Sequence, residues 1–171
     1  MKKPRIFSIA LIRTVLALSL FCAAFSFSSE AEVVRPAPNF TWEGAGKATS
    51  LRAVAGQPVV LIVARNARVH AFNAQLKKLR DLYQEFASRK VIFAAAIADG
   101  PPDVRSNIPF VIATNGAQVA AQYGVNDEDF NIIIIGRDGN VDYQTSNVLP
   151  ASRVRDVIIN SFVEQNNRRK S

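Results

Sequence analysis

Between Pro58 and Arg89 the hydrophobic period of the chain changes once. Val59 to Ala64 is a continuous apolar run rich in branched residues, the pattern of a strand buried on both faces. Arg65 and Asn66 interrupt it, and apolar residues then recur at Val69, Phe72, Leu76, Leu79, Leu82, Tyr83 and Phe86. Steps of three and four put these on one face of a helix of about five to six turns. Strand, abrupt turn and long helix bring a strand's carboxyl end against a helix's amino end, a junction that often carries chemistry.

The rest of the chain reads outward from that unit. Upstream, Phe40 and Trp42 alternate with Asn39, Thr41 and Glu43 as in a short edge strand, which Gly44 and Gly46 end. Ser50 to Gly56 reads as a turn or short helical element. Downstream, Val91 to Ala98 predicts a second interior strand. Gly100, Pro101 and Pro102 make Asp99 to Asn107 a loop, and Ile108 to Ala113 is a short extended segment. Asn115 is placed to cap a helix from Gly116 to Tyr123, with Gly124 as its stop. Phe130 to Ile135 predicts a third interior strand, and Val125 to Asp129 before it is an acidic loop. Asp138-Gly139 predicts a hairpin turn, because glycine adopts positive φ freely, and Val141 to Gln144 is its return strand. Pro150 suits a helix start; Val154, Val157, Ile158 and Phe162 give that helix an apolar face down to about Gln165. The order of elements predicts one α/β domain without internal repeats, a mixed central sheet with helices on both faces.

Composition narrows the picture. A chain of 171 residues with 49% apolar and 20% charged residues can bury a real core. Its amino terminus is set apart. Lys2, Lys3 and Arg5 precede an apolar run, residues 14–27, that is too short to span a bilayer, and the small residues Ser29 and Ala31 follow. Residues 1–31 therefore read as a secretory signal peptide cleaved after Ala31. Cleavage after Ala24 and an uncleaved anchor are the other readings. Lipid attachment at Cys22 fits poorly, since Phe21 stands where a small side chain is needed. Residues 32–37 read as a linker, 38–165 as the folded domain and 166–171 as a basic polar tail expected to fray. The expected destination is the bacterial periplasm or the medium, with no membrane span after cleavage.

Cleavage changes the charge and the redox chemistry. It removes four of the 21 basic residues (Lys2, Lys3, Arg5, Arg13) and one of the 14 acidic ones (Glu30), leaving 17 and 13 and a net charge of +4. That mild excess argues for solubility, not for nucleic-acid binding. Cys22, the one cysteine, leaves with the signal, so the mature chain carries no thiol into an oxidising compartment.

Three strings resemble one superfamily. PNFTWEG followed by TSLRAVAGQPVVLIVA is similar to the opening of redoxin and thiol-disulfide oxidoreductase domains. GAQVAAQYGV is similar to the helix and Tyr-Gly-Val ahead of their last strand pair, and FNIIIIGRDGNV to their strand and Asp-Gly hairpin. The resemblance runs from Pro38 to about Phe162 and implies a thioredoxin-like three-layer sandwich. Gln75 and the GRDG string are also similar to a small thioredoxin-like bacterial family that lacks the paired cysteines.

The departures from that pattern bear on function. Redoxins and thioredoxins need a thiolate at the amino end of the long helix, where free N–H groups and the helix dipole lower its pKa. Here positions 65 to 71 read Arg, Asn, Ala, Arg, Val, His, Ala. Thioredoxins place a cis-proline just ahead of the strand that matches Phe130–Ile135, where this chain has Glu128 and Asp129. A peroxidatic site needs a cysteine with a nearby threonine and arginine, and here arginines stand without the cysteine.

Arg65, Asn66, Arg68 and His70 are the candidate site residues at the junction, with Asp127, Glu128 and Asp129 in the facing loop. Guanidiniums and free N–H groups suit an anion or acidic partner. The plainer reading is a solvated loop with incidental basic residues. In a thioredoxin fold the acidic loop faces the amino end of the long helix, so Asp127 to Asp129 are expected near Arg65 and Arg68, as ion pairs or as a solvated turn. His70 is the only histidine, and no metal-ligand spacing, Gly-rich phosphate loop or Ser-His-Asp pattern occurs, so no metal or cofactor is expected. Trp42, Phe72, Tyr83 and Phe110 read as core.

The expectation is an exported thioredoxin-like domain without redox activity, binding an envelope protein or an anionic ligand. A thiol-independent enzyme using His70 and Asp129 as acid and base is the alternative. A thiol oxidoreductase or peroxidase follows from family resemblance alone and conflicts with the missing sulfur.

Overall fold

The computed structural model describes residues 35–44, 47–86, 89–100, 104–125 and 128–168. The segment read as a signal peptide with its expected cleavage site, Gly46, the Pro101-Pro102 pair, Asp127 and the last three residues of the segment read as a tail lie outside these. The strands are β1 (Arg35–Pro36), β2 (Thr41–Gly44), β3 (Lys47–Ser50), β4 (Val59–Ala64), β5 (Ile92–Ile97), β6 (Val111–Ile112), β7 (Phe130–Ile135) and β8 (Asn140–Thr145). The helices are α1 (His70–Phe86), α2 (Gly116–Gln122) and α3 (Ala151–Arg168), and a 3-10 turn covers Leu51–Val54.

Six strands form a mixed sheet in the order β1-β8-β7-β4-β5-β6. β5 runs parallel to β4 and to β6, whereas β7 is antiparallel to β4 and β8. Every residue of β4 and β7 is buried, which is why both strands read as unbroken apolar runs. Alternate residues go to opposite faces. Val60, Ile62, Ile132 and Ile134 meet Phe72, Leu76, Leu79 and Leu82 of α1 and Val154 and Ile158 of α3. Val59, Leu61, Val63, Ile133 and Ile135 meet Phe40, Trp42 and the α2 segment through Val119, Ala120 and Tyr123. The result is three layers with helices on both faces. Among the described residues no helix is long and apolar enough to cross a membrane.

Local chemistry accounts for the boundaries. Gly124 ends α2 at φ 76°, and Gly139 turns the β7–β8 hairpin at φ 80°. Gly116 opens α2 where a Cβ would run into the Ile97 carbonyl oxygen, so α2 lies against β5 only because this residue has no side chain.

Several expectations need correction. The segment read as a linker enters the sheet: Arg35 and Pro36 pair with Val141 and Asn140 of β8. Two residues are too few to show a period. The Phe40–Trp42 segment is not an edge of the main sheet. β2 forms a separate hairpin with β3, and Trp42 bridges to Ala113. β3 is largely exposed, so its sequence KATS carries no hydrophobic alternation. Asn115 occupies the cap position of α2, but its side chain makes no capping hydrogen bond. α3 continues to Arg168, past the expected end near Gln165 and into the segment read as a tail. Tyr83 and Phe110 are only partly buried, unlike Trp42 and Phe72.

Candidate functional site

The register of β4 against β7 builds the junction. Ala64 pairs with Phe130, so the next residue of β4 meets the residue preceding β7. Arg65 N–H donates to the Asp129 carbonyl at 2.9 Å, and its Nε donates to Asp129 Oδ1 at 2.7 Å. On the other side, Asp99 N–H donates to the Arg65 carbonyl at 2.6 Å, continuing the ladder from β5. Arg65 is thus held between the ends of two neighbouring strands. Its side chain and that of Asp129 remain 45% and 66% exposed, so solvent screens the pair and it contributes at most about 1 kcal/mol.

Beyond Arg65 the chain makes an Asx-type turn. Asn66 Oδ1 accepts from Arg68 N–H at 3.0 Å, and the Asn66 carbonyl accepts from Val69 N–H at 3.3 Å. Asn73, in the first turn of α1, donates through Nδ2 to the carbonyls of Ala67 and Val69, each at 3.0 Å. Asn73 was not among the candidates read from the sequence. The available signal was an amide four residues after Val69, on the side of the helix nearest the turn.

The seven candidates do not form one cluster. Arg65 and Asp129 make an ion pair on the β7 side of β4. Asn66 and Arg68 lie on the β5 side, lining a cavity of about 600 Å³ with Asn73, Asp99, Gly100 and Arg105. Among the described residues the acidic loop meets Arg65 through Asp129, and Arg68 lines the cavity. His70 is exposed and lines a further groove with Lys77 and Lys78. Glu128 is exposed, and Asp127 lies outside the described residues.

Guanidinium, ammonium, amide and carboxylate groups make up this surface. The one cysteine of the chain is Cys22, so no residue from 35 onward can supply a thiolate. Among the described residues no three His, Cys, Asp or Glu side chains gather where one metal ion could touch them. Away from the junction, the Tyr123 phenol is buried and donates to the Pro38 carbonyl at 2.8 Å. Burial pushes its pKa well up, against a smaller lowering pull from Arg35.

The sheet order and its helical layers define a thioredoxin-like α/β domain. Residues 33–144 match the AhpC/TSA family, and the chain belongs to that family. Among solved structures it is similar to a Chlorobium tepidum protein assigned as the thiol:disulfide interchange protein DsbE, with 17% identity, a TM-score of 0.61 and coverage of 75% of this chain and 96% of that one. The thioredoxin domain of a Bacteroides vulgatus thiol-disulfide oxidoreductase matches with 16% identity, a TM-score of 0.58 and coverage of 75% and 96%. The peroxidoxin BcpB of Mycobacterium tuberculosis matches with 20% identity, a TM-score of 0.56 and coverage of 76% and 95%. At such identities the likeness shows the fold. No curated protein sequence matches the chain.

Proposed function

We propose that this AhpC/TSA-family domain is exported to the bacterial envelope and acts there as a binding or assembly module without redox activity. One observation carries the reading. The strand–helix junction, where the family resemblance implies a thiolate, holds Arg65, Asn66, Arg68 and His70, and the only cysteine lies in the segment read as a signal peptide. Electron transfer through sulfur has no atom to use after cleavage. Arg68, on the wall of the cavity of about 600 Å³ beside the Arg65–Asp129 pair, suits an anionic or acidic partner instead. An acid–base role for His70 with Asp129 draws no support from the geometry, because Asp129 is tied to Arg65 while His70 lines a groove with Lys77 and Lys78.

Peroxide consumption and insulin reduction by the exported protein test the redox half, and no thiol-dependent turnover is expected. Amino-terminal sequencing tests the export half, with Glu32 as the expected first residue. A mature form that retains Cys22, or turnover that needs it, would overturn the proposal. Capture of an envelope component that is lost on changing both Arg65 and Arg68 to Ala is the expected sign of binding at the junction.

A further inference from the structure

Three hollows on one side of α1 share walls. The cavity of about 600 Å³ shares Asn73 and Arg105 with a second of about 220 Å³. The second shares Asn73 and Lys77 with a third of about 300 Å³. They form one groove from the β4–α1 turn along the helix. Its walls carry Arg68, Lys77, Lys78, Arg80 and Arg105, with Asp99 as the one lining carboxylate among the described residues, and Arg80 Nε also lies 3.6 Å from Asp81 Oδ1. The domain as a whole is close to neutral, with 17 basic and 13 acidic residues after the expected cleavage, so this groove concentrates the positive charge.

We propose that the groove binds a linear phosphate-bearing chain. The proposal rests on reading the junction as a binding site, since Arg68 and His70 belong to both. Length argues for a chain over a single anion. From His70 to Arg80 is ten helical steps, about 15 Å at 1.5 Å per residue, and one phosphate cannot meet cations spread over that distance. Charge argues for phosphate over carboxylate. Arg68, Lys77 and Lys78 outnumber Asp99 even with Arg80 set against Asp81, which matches a ligand with dense negative charge, and guanidiniums bind phosphate oxygens in pairs. The lining argues against a nucleic acid. Among the described residues His70 is the one ring lining the groove and no Phe, Tyr or Trp faces it, so successive unpaired bases have no platform to stack on.

Titration calorimetry on the exported protein tests this with a short linear polyphosphate, a glycerol-phosphate oligomer, orthophosphate, poly-glutamate and oligothymidylate. Binding of either phosphate chain more tightly than orthophosphate, poly-glutamate and oligothymidylate supports the proposal; which of the two chains wins separates free polyphosphate from a phosphodiester polymer. Changing Lys77 and Arg80 together to Gln should weaken that binding about tenfold. Arg153→Gln, which removes a cation stacked on Tyr143 at 5.2 Å, should leave it unchanged. No binding of either phosphate chain, equal loss in Arg153→Gln, or oligothymidylate or poly-glutamate binding as tightly would overturn the proposal. If the chains fail to bind while capture still depends on Arg65 and Arg68, the ligand class falls and the binding module stands. If they bind as described but capture fails, the groove stands and the envelope-partner reading falls.

Discussion

Two polar stations tie loops to the central layers, and they differ in one respect. At the first, Arg65 Nε meets Asp129 Oδ1 at 2.7 Å. At the second, Gln75 of α1 accepts from Leu149 N–H at 2.7 Å and donates to the Leu149 carbonyl at 3.3 Å, holding the segment ahead of α3. The shortest bonds have the same length, but Gln75 is 0% exposed while both members of the ion pair face water. Burial makes the neutral clamp the heavier of the two. Water replaces a lost partner at the ion pair, whereas nothing replaces one at Leu149. The charged station therefore contributes little to the fold, and the amide clamp is committed to it.

Breaking the clamp should have the largest effect. Gln75→Leu keeps the bulk but leaves the Leu149 N–H and carbonyl unpaired, at a cost of about 3 kcal/mol. For a domain of this size that lowers Tm by about 10 °C in a thermal melt. A loss no greater than that of Arg65→Ala would end the ranking.

Asn131 sharpens the comparison, being a second buried amide with a partly redundant role. Its Nδ2 donates to the carbonyls of Tyr123 at 3.0 Å and Gly124 at 3.3 Å. Gln144 also donates to the Tyr123 carbonyl, at 2.9 Å, so that oxygen keeps a partner. Asn131→Ala should cost about 2 kcal/mol in denaturant unfolding, less than the Gln75 change.

Tyr123→Phe should cost about 1 kcal/mol by removing the bond to the Pro38 carbonyl. It should also change the alkaline limb. The folded phenol's pKa is raised by burial, so above about pH 10 the unfolded chain releases this proton and the folded one retains it. Stability from this group is complete below that pH and declines above it. Melts across the alkaline range should show a fall in the parent that is shallower in Tyr123→Phe.

The smallest stability effect belongs to the exposed pair. Arg65→Ala and Asp129→Ala should each cost under about 1 kcal/mol, and the parent's small advantage should shrink in high salt. Thermal melts at two salt concentrations check this. A larger, salt-independent loss would mean that the pair holds the fold.

Much of the fold was legible in the sequence because burial on both faces leaves a plain mark. The apolar runs of β4, β5 and β7, the apolar stripe of α1 and the Asp138-Gly139 turn all report local periods or local dihedrals. β1 and β3 escaped because a two-residue strand and an exposed KATS segment carry no such mark. Gln75 lies three residues after Phe72 and four before Leu79, so its place on the buried stripe was readable. What it bonds was not, because Leu149 is 74 residues away.

The candidate site divides in the same way. Which groups stand at the strand–helix junction, and that none of them is a thiol, follows from the order of residues alone. Where those groups go depends on strand pairing. Arg65 reaches Asp129 because β7 lies antiparallel beside β4 with Ala64 opposite Phe130, while Arg68 joins Arg105 and Asp99 because β5 flanks β4 on its other edge. Composition and period are local properties that a chain carries unfolded. Proximity between residues some sixty positions apart exists only once the sheet has closed, and hydrogen-bond register is what decides it.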